Sequence, residues 1–160
     1  MIRANEFAKD MCRQLSALTH TKWECGHGVG NGQDRVDVYG EPGGKPVYIE
    51  IELRRNEPVT NVIKLWKAAK ERRVKKGFIL VQAFSGNYLT KDLSPTRVRA
   101  HAEFIGGQMN KSCGAVYMPV PFDYHPRKSG KVGSTYRRLA AQKLAKQVIQ
   151  NLSEEKLILL

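Results

Sequence analysis

The chain has 160 residues, 41% hydrophobic and 26% charged, the balance of one ordinary folded domain rather than of a disordered segment. Its 27 Lys and Arg against 15 Asp and Glu give a formal charge of +12, which calls for a polyanionic partner, nucleic acid before an anionic membrane surface. No apolar run approaches the ~18 residues of a membrane span. The charge-mixed start "MIRANEFAKDMCRQL" has no signal-type apolar segment, so the expected setting is cytoplasmic, with no membrane partner. In that reducing setting Cys12, Cys25 and Cys113 read as free buried thiols.

Residues 3–19 predict an amphipathic helix, since Phe7, Met11, Leu15 and Leu18 fall three or four apart. A short strand is expected around 21–25, before Gly26, Gly28, Gly30 and Gly32 break the chain. The alternating stretches "DRVDVYG" (34–40) and "PVYIEIEL" (46–53) flank "EPGGK" and read as a hairpin. Pro58 starts a second helix with Val62, Leu65, Trp66 and Ala69 on its apolar face. The continuous apolar run "GFILVQAF" (77–84) predicts a strand buried on both faces. A third helix over 96–111, with Phe104 in the core, leads to a strand at "AVYMPV".

Prolines, glycines and charges make 121–134 a loop. A last helix follows from about 134 to 152, with Tyr136, Ala140, Leu144, Val148 and Leu152 every four residues. The order α-β-β-β-α-β-α-β-α predicts an α/β fold, a mixed central β-sheet flanked by helices. It makes a single domain with its core at 3–120, followed by a basic loop and C-terminal helix at 121–160.

Strand periodicity puts Tyr48, Glu50, Glu52 and Arg54 on one side of "PVYIEIELRR", and Val47, Ile49, Ile51 and Leu53 on the other. The second side explains itself as core. A turn at Gly43–Gly44 would pair Tyr39 with Tyr48, Asp37 with Glu50 and Arg35 with Glu52. Opposed side chains have Cβ atoms ~5 Å apart, where like charges destabilise a sheet. A slip of one residue would turn Asp37 onto the apolar face. Carboxylates so placed suit a divalent cation with hard oxygen ligands, Mg²⁺, its shell completed by water and substrate phosphates. The alternative is a solvated acidic face on an amphipathic strand.

At these residues the chain resembles the PD-(D/E)XK nuclease superfamily. The core of that family is a helix, a three-stranded meander, a helix and a further strand. Asp37 matches its aspartate on the second strand. Glu50-Ile51-Glu52 matches its (D/E)-x-K on the third, with Glu in the lysine position, as in certain restriction endonucleases. Glu6 matches an acidic residue of the first helix. The resemblance covers about residues 3–84.

The resemblance implies metal-dependent hydrolysis of phosphodiester bonds. Asp37, Glu50 and the Ile51 carbonyl would hold Mg²⁺, with Mn²⁺ as a substitute, and Glu52 would act as general base or as ligand to a second metal. The missing lysine leaves a role open. Lys64 can enter it from the second helix, whereas Arg54, on the right strand face, stays protonated and cannot serve as a base.

Two basic stretches offer phosphate contacts. Residues 61–81 hold seven Lys or Arg and one acid, and residues 126–146 hold seven and none. Arg54, Arg55, Lys67, Arg137, Arg138 and Lys143 are the candidate nucleic-acid contacts. The expected protein is an endodeoxyribonuclease acting on double-stranded or branched DNA as a homodimer. It would be of restriction type or, alternatively, a junction resolvase. A silent DNA-binding scaffold lacking the lysine is the rival class, and charge alone does not separate DNA from RNA. Zinc is disfavoured because no Cys-x₂-Cys pair occurs. "GHGVGNG" lacks both phosphate-loop and dinucleotide spacing and is read as a tight backbone beside the acidic site.

Overall fold

The computed structural model describes residues 2–30, 32–54, 57–126 and 133–158. Its elements follow the predicted order: α1 (Ile2–Thr19), β1 (Trp23–Gly28), β2 (Arg35–Gly40), β3 (Val47–Glu52), α2 (Val59–Lys70), β4 (Ile79–Phe84), α3 (Arg97–Cys113), β5 (Val116–Pro121) and α4 (Ser134–Glu154). The five strands form one mixed sheet in the order β1-β2-β3-β4-β5. β1, β2 and β3 are an antiparallel meander, whereas β4 and β5 run parallel to β3. Each parallel connection carries a helix, α2 or α3, as parallel neighbours require.

Two apolar clusters lie on opposite faces of this sheet. Val47, Ile49 and Ile51 of β3 pack with Phe7, Met11 and Leu15 of α1 and with Leu144, Val148 and Leu152 of α4. Tyr48 and Leu80 pack with Val62 and Leu65 of α2 and with Met109 of α3. β4 has α-helices over both faces and is buried at every residue, the reason its run is continuously apolar. No helix among the described residues is long and apolar enough to cross a membrane.

Three expectations need correction. β1 runs on through Gly26 and Gly28 instead of ending before them. The ladder tolerates this because Gly26, at φ +66°, takes a left-handed turn within it and is skipped by the pairing. Phe104 is not core: it is 65% exposed on the outer side of α3. The apolar stripe of α4, from Ala140 to Leu152, packs inside the chain against α1 and the sheet. Of the cysteines only Cys12 is buried, and Cys25 is exposed; all three are free thiols.

Candidate active site

The site is assembled at the paired strands β2 and β3. The hairpin turns through Pro42–Gly44, with Gly43 and Gly44 at φ +61° and +77°. That left-handed pair is open to glycine at no steric cost. The ladder then matches Gly40 with Val47, Tyr39 with Tyr48 and Val38 with Ile49, the register expected from the sequence. One residue further, at Asp37, the residue pairing with β3 ends, so the expected Asp37–Glu50 pair is not part of the ladder. There the Asp37 carboxylate itself bonds β3, its Oδ2 accepting the Ile51 N–H at 2.8 Å.

Glu50 and Glu52 are not a solvated face. They share the side of β3 that carries Tyr48, and α2 covers that side; Glu50 is 2% exposed and Glu52 0%. Burying a carboxylate is costly unless charge and hydrogen bonds compensate it. α2 supplies both. Lys64 Nζ makes an ion pair with Glu50 Oε1. The same ammonium donates to Asn61 Oδ1 at 2.9 Å and to the Arg35 carbonyl at 2.6 Å. Asn61 turns its amide the other way, its Nδ2 donating to Glu52 Oε1 at 2.6 Å. The i, i+3 spacing of Asn61 and Lys64 brings both to one face of the helix.

A second chain of donors reaches Glu52 from the far strands. Gln82 Nε2, on β4, donates to Glu52 Oε1 and to the Pro58 carbonyl, each at 2.8 Å. Tyr117 of β5 donates its hydroxyl to Gln82 Oε1 at 2.7 Å. Gly106 of α3 makes room for that tyrosine, because a Cβ there would overlap its ring. Burial drives the Tyr117 hydroxyl above the ordinary phenol range, so it remains a donor.

The electrostatics of Glu50 follow from these neighbours. Desolvation is the largest influence and raises its pKa; Lys64 lowers it, while Asp37 and Glu52 raise it. The net direction is well above the ordinary carboxylate value. A carboxyl so placed holds its proton more firmly than an exposed one.

The other predicted residues lie as follows. Glu6 does not join this group: its carboxylate pairs with Arg137 of α4, which also holds Asp10 at 2.7 Å. Arg137 is thereby engaged in fastening α4 to α1 and is not presented as a free phosphate contact. Arg35 does not reach Glu52; its guanidinium donates to the Gly26 carbonyl of β1 at 2.7 Å. Arg54 donates to the Pro126 carbonyl. Lys67 is exposed and 3.9 Å from Glu71. Arg138 and Lys143 are exposed on α4, and Arg55 lies outside the described residues. The sequence reading missed Asn61, Gln82 and Tyr117. Gln82 carried a signal, as the one polar residue inside "GFILVQAF".

Among the described residues no three His, Cys, Asp or Glu side chains are grouped to hold a metal ion. The cluster offers two carboxylates, Asp37 and Glu50, together with the backbone carbonyl of Ile51. Two carboxylates with water and phosphate oxygens are a usual protein share of a Mg²⁺ shell, so the donor chemistry fits that ion. Comparison with family models, with curated proteins and with solved structures finds no match to this chain.

Proposed function

We propose that the chain is a Mg²⁺-dependent endodeoxyribonuclease of the PD-(D/E)XK type, with a restriction-endonuclease-like core. The observation that carries this reading is that Lys64 pairs with Glu50 while Asp37 bonds the backbone of the next residue, Ile51, close enough to act on the Glu50 carboxyl, an acid-acid-lysine set that the linear motif lacks. In this reading Asp37, Glu50 and the Ile51 carbonyl hold the metal. Bound Mg²⁺ polarises the scissile phosphate and lowers the pKa of the attacking water.

Lys64 fills the open lysine role from α2, where its ammonium can stabilise negative charge on the phosphate. Glu52 is given a different part from the one its place in the motif implied. It is wholly buried and its Oε1 accepts from Asn61 and Gln82, so it acts as a positioning residue for Lys64 through Asn61. DNA, double-stranded or branched, is the proposed substrate, and a homodimer would cut both strands.

The test is cleavage of labelled plasmid, long linear duplex and four-way junction in Mg²⁺ or EDTA, with Asp37→Ala and Lys64→Ala alongside. Discrete fragments from linear duplex, lost in both variants and in EDTA, fit a restriction-type enzyme. Nicking confined to the junction fits a resolvase. One observation favours the silent DNA-binding scaffold instead: Lys64 already neutralises Glu50 where a metal would sit. That reading expects binding indifferent to Mg²⁺ and no cutting of any substrate.

A further inference from the structure

Asp37, a metal ligand in the reading above, also lines a cleft of about 310 Å³. Asn5, Ala8 and Lys9 of α1 form one wall; Cys25, Gly26, Arg35 and Asp37 of the meander form the other. At this cleft the β1–β2 ladder skips a pair. Cys25 is matched with Val38 and His27 with Val36, while Gly26 and Asp37 between them are left out of the pairing. A side chain at Gly26 would meet nothing within 4 Å, so the space in front of it is open.

The two cations of the cleft differ from four of the seven basic residues of 61–81. The basic residues of 61–81 are largely spent: Lys64 on Glu50, Lys67 and Arg73 on Glu71, and Lys75 on Glu41. Lys9 and Arg35 are exposed and pair with no acid among the described residues. Arg35 is nonetheless held in place, since its Nη1 donates to the Gly26 carbonyl at 2.7 Å across the mouth of the skipped pair. A guanidinium fixed in this way still has donors to give and loses little freedom on binding an anion. Among the described residues the only carboxylate in the wall is Asp37, whose Oδ2 is taken by the Ile51 N–H. The volume is at the small end of ligand sites and suits one sugar-phosphate rather than a duplex.

Resting on the nuclease reading above, we infer that this cleft seats one backbone phosphate of the bound DNA strand, gripped by Lys9 and Arg35. The contact is electrostatic and indifferent to base sequence, so it fixes the strand against Asp37 without selecting a site. It places the path of the backbone along the groove between α1 and the β1–β2 edge.

Fluorescence anisotropy of a short labelled duplex, titrated with the full chain in EDTA and in Ca²⁺ over a range of NaCl, tests this. Each neutralised phosphate contributes about 0.9 to the slope of log K against log salt. Lys9→Ala and Arg35→Ala should each weaken binding of unrelated duplex sequences, the double variant should lower the slope by about that amount, and Lys9→Arg should keep both affinity and slope. Lys9→Ala removes no structural contact, so it decides the matter even if Arg35→Ala loosens β1. Wild-type protein that binds DNA, with Lys9→Ala unchanged in affinity and slope, overturns the inference and leaves the nuclease reading standing. Wild-type protein that binds no DNA in either buffer overturns both.

Discussion

Lys64 of α2 and Glu50 of β3 form an ion pair inside the protein, the lysine side chain 15% and the carboxylate 3% exposed. Removing one member of a buried pair strands the other, at a typical cost of ~3–5 kcal/mol. Lys64→Met should therefore destabilise the fold by that order, since Glu50 would keep its burial and lose its counter-charge. Glu50→Gln in the Lys64→Met background should recover much of the loss, because no unpaired charge remains. Urea unfolding of the two single variants and the double variant measures the coupling. If Lys64→Met is as stable as wild type, the pair does not form as described.

Glu50 also makes stability depend on pH in a definite sense. Its folded-state pKa lies above the ordinary value that it would have in the unfolded chain, with burial as the main cause. At pH below the unfolded value both states hold the proton, and Glu50 adds no pH dependence. Above it the unfolded chain releases its proton first and the folded chain must follow at a cost. Stability attributable to Glu50 is thus full in acid and is lost as pH rises through the folded pKa. In EDTA, Glu50→Gln should remove this fall, so thermal midpoints of variant and wild type should diverge in the variant's favour from acid toward neutral pH. A parallel pair of curves would mean that Glu50 titrates normally.

How much of this was legible in the sequence depends on whether the signal was local. Alternation in 46–53 and the Gly43–Gly44 turn are local, and they led to the observed β2–β3 register and to Asp37 beside Glu50. The burial of Glu50 and Glu52 was not legible, because it is α2 lying across β3 that removes them from water, and no period in the strand reports what covers it. Phe104 was misread for a related reason: helical spacing places it on a stripe, but its neighbours on α3 decide which stripe faces inward, and Arg99, Ala102 and Gly106 do so instead. Asn61 and Gln82 are polar residues within apolar stretches, and the stretches alone do not say what they bond. Their meaning lies in sharing Glu52 Oε1, a contact between residues 9 and 30 positions from it.

Gly106 offers a test of the far end of that network. Replacing an internal helical glycine by alanine ordinarily stabilises a helix by up to ~1 kcal/mol. Here the added Cβ would overlap the ring of Tyr117, which sits between α3 and β5 and bonds Gln82. Gly106→Ala should therefore destabilise the protein despite its better propensity. Tyr117→Phe should cost ~1–3 kcal/mol, the penalty for leaving the buried Gln82 carbonyl oxygen without its donor. Gly106→Ala added to Tyr117→Phe should cost less than their sum if both act through the same hydroxyl. Denaturant midpoints of the three variants decide it, and a stabilised Gly106→Ala would show that the ring moves aside freely.

Arg137 and Arg138 are adjacent on α4 and should fail in opposite assays. Arg137 is 17% exposed and bonds Asp10, itself buried in α1, at 2.7 Å; its second partner, Glu6, is half exposed and adds little. Charged hydrogen bonds of this kind contribute ~1.5–3 kcal/mol. Arg137→Ala should lower the unfolding free energy by about that amount, because Asp10 would keep only its 3.4 Å contact with Arg13. Its effect on DNA affinity, measured below the melting transition, should be small. Arg138 is exposed, so Arg138→Ala should leave the melting curve unchanged. If α4 lies along the DNA backbone, the same variant should weaken binding uniformly across sequences and reduce the salt slope by about 0.9. Should Arg137→Ala instead reduce the slope at unaltered stability, the guanidinium would be reaching phosphate in solution and the α1–α4 clamp would not be its role.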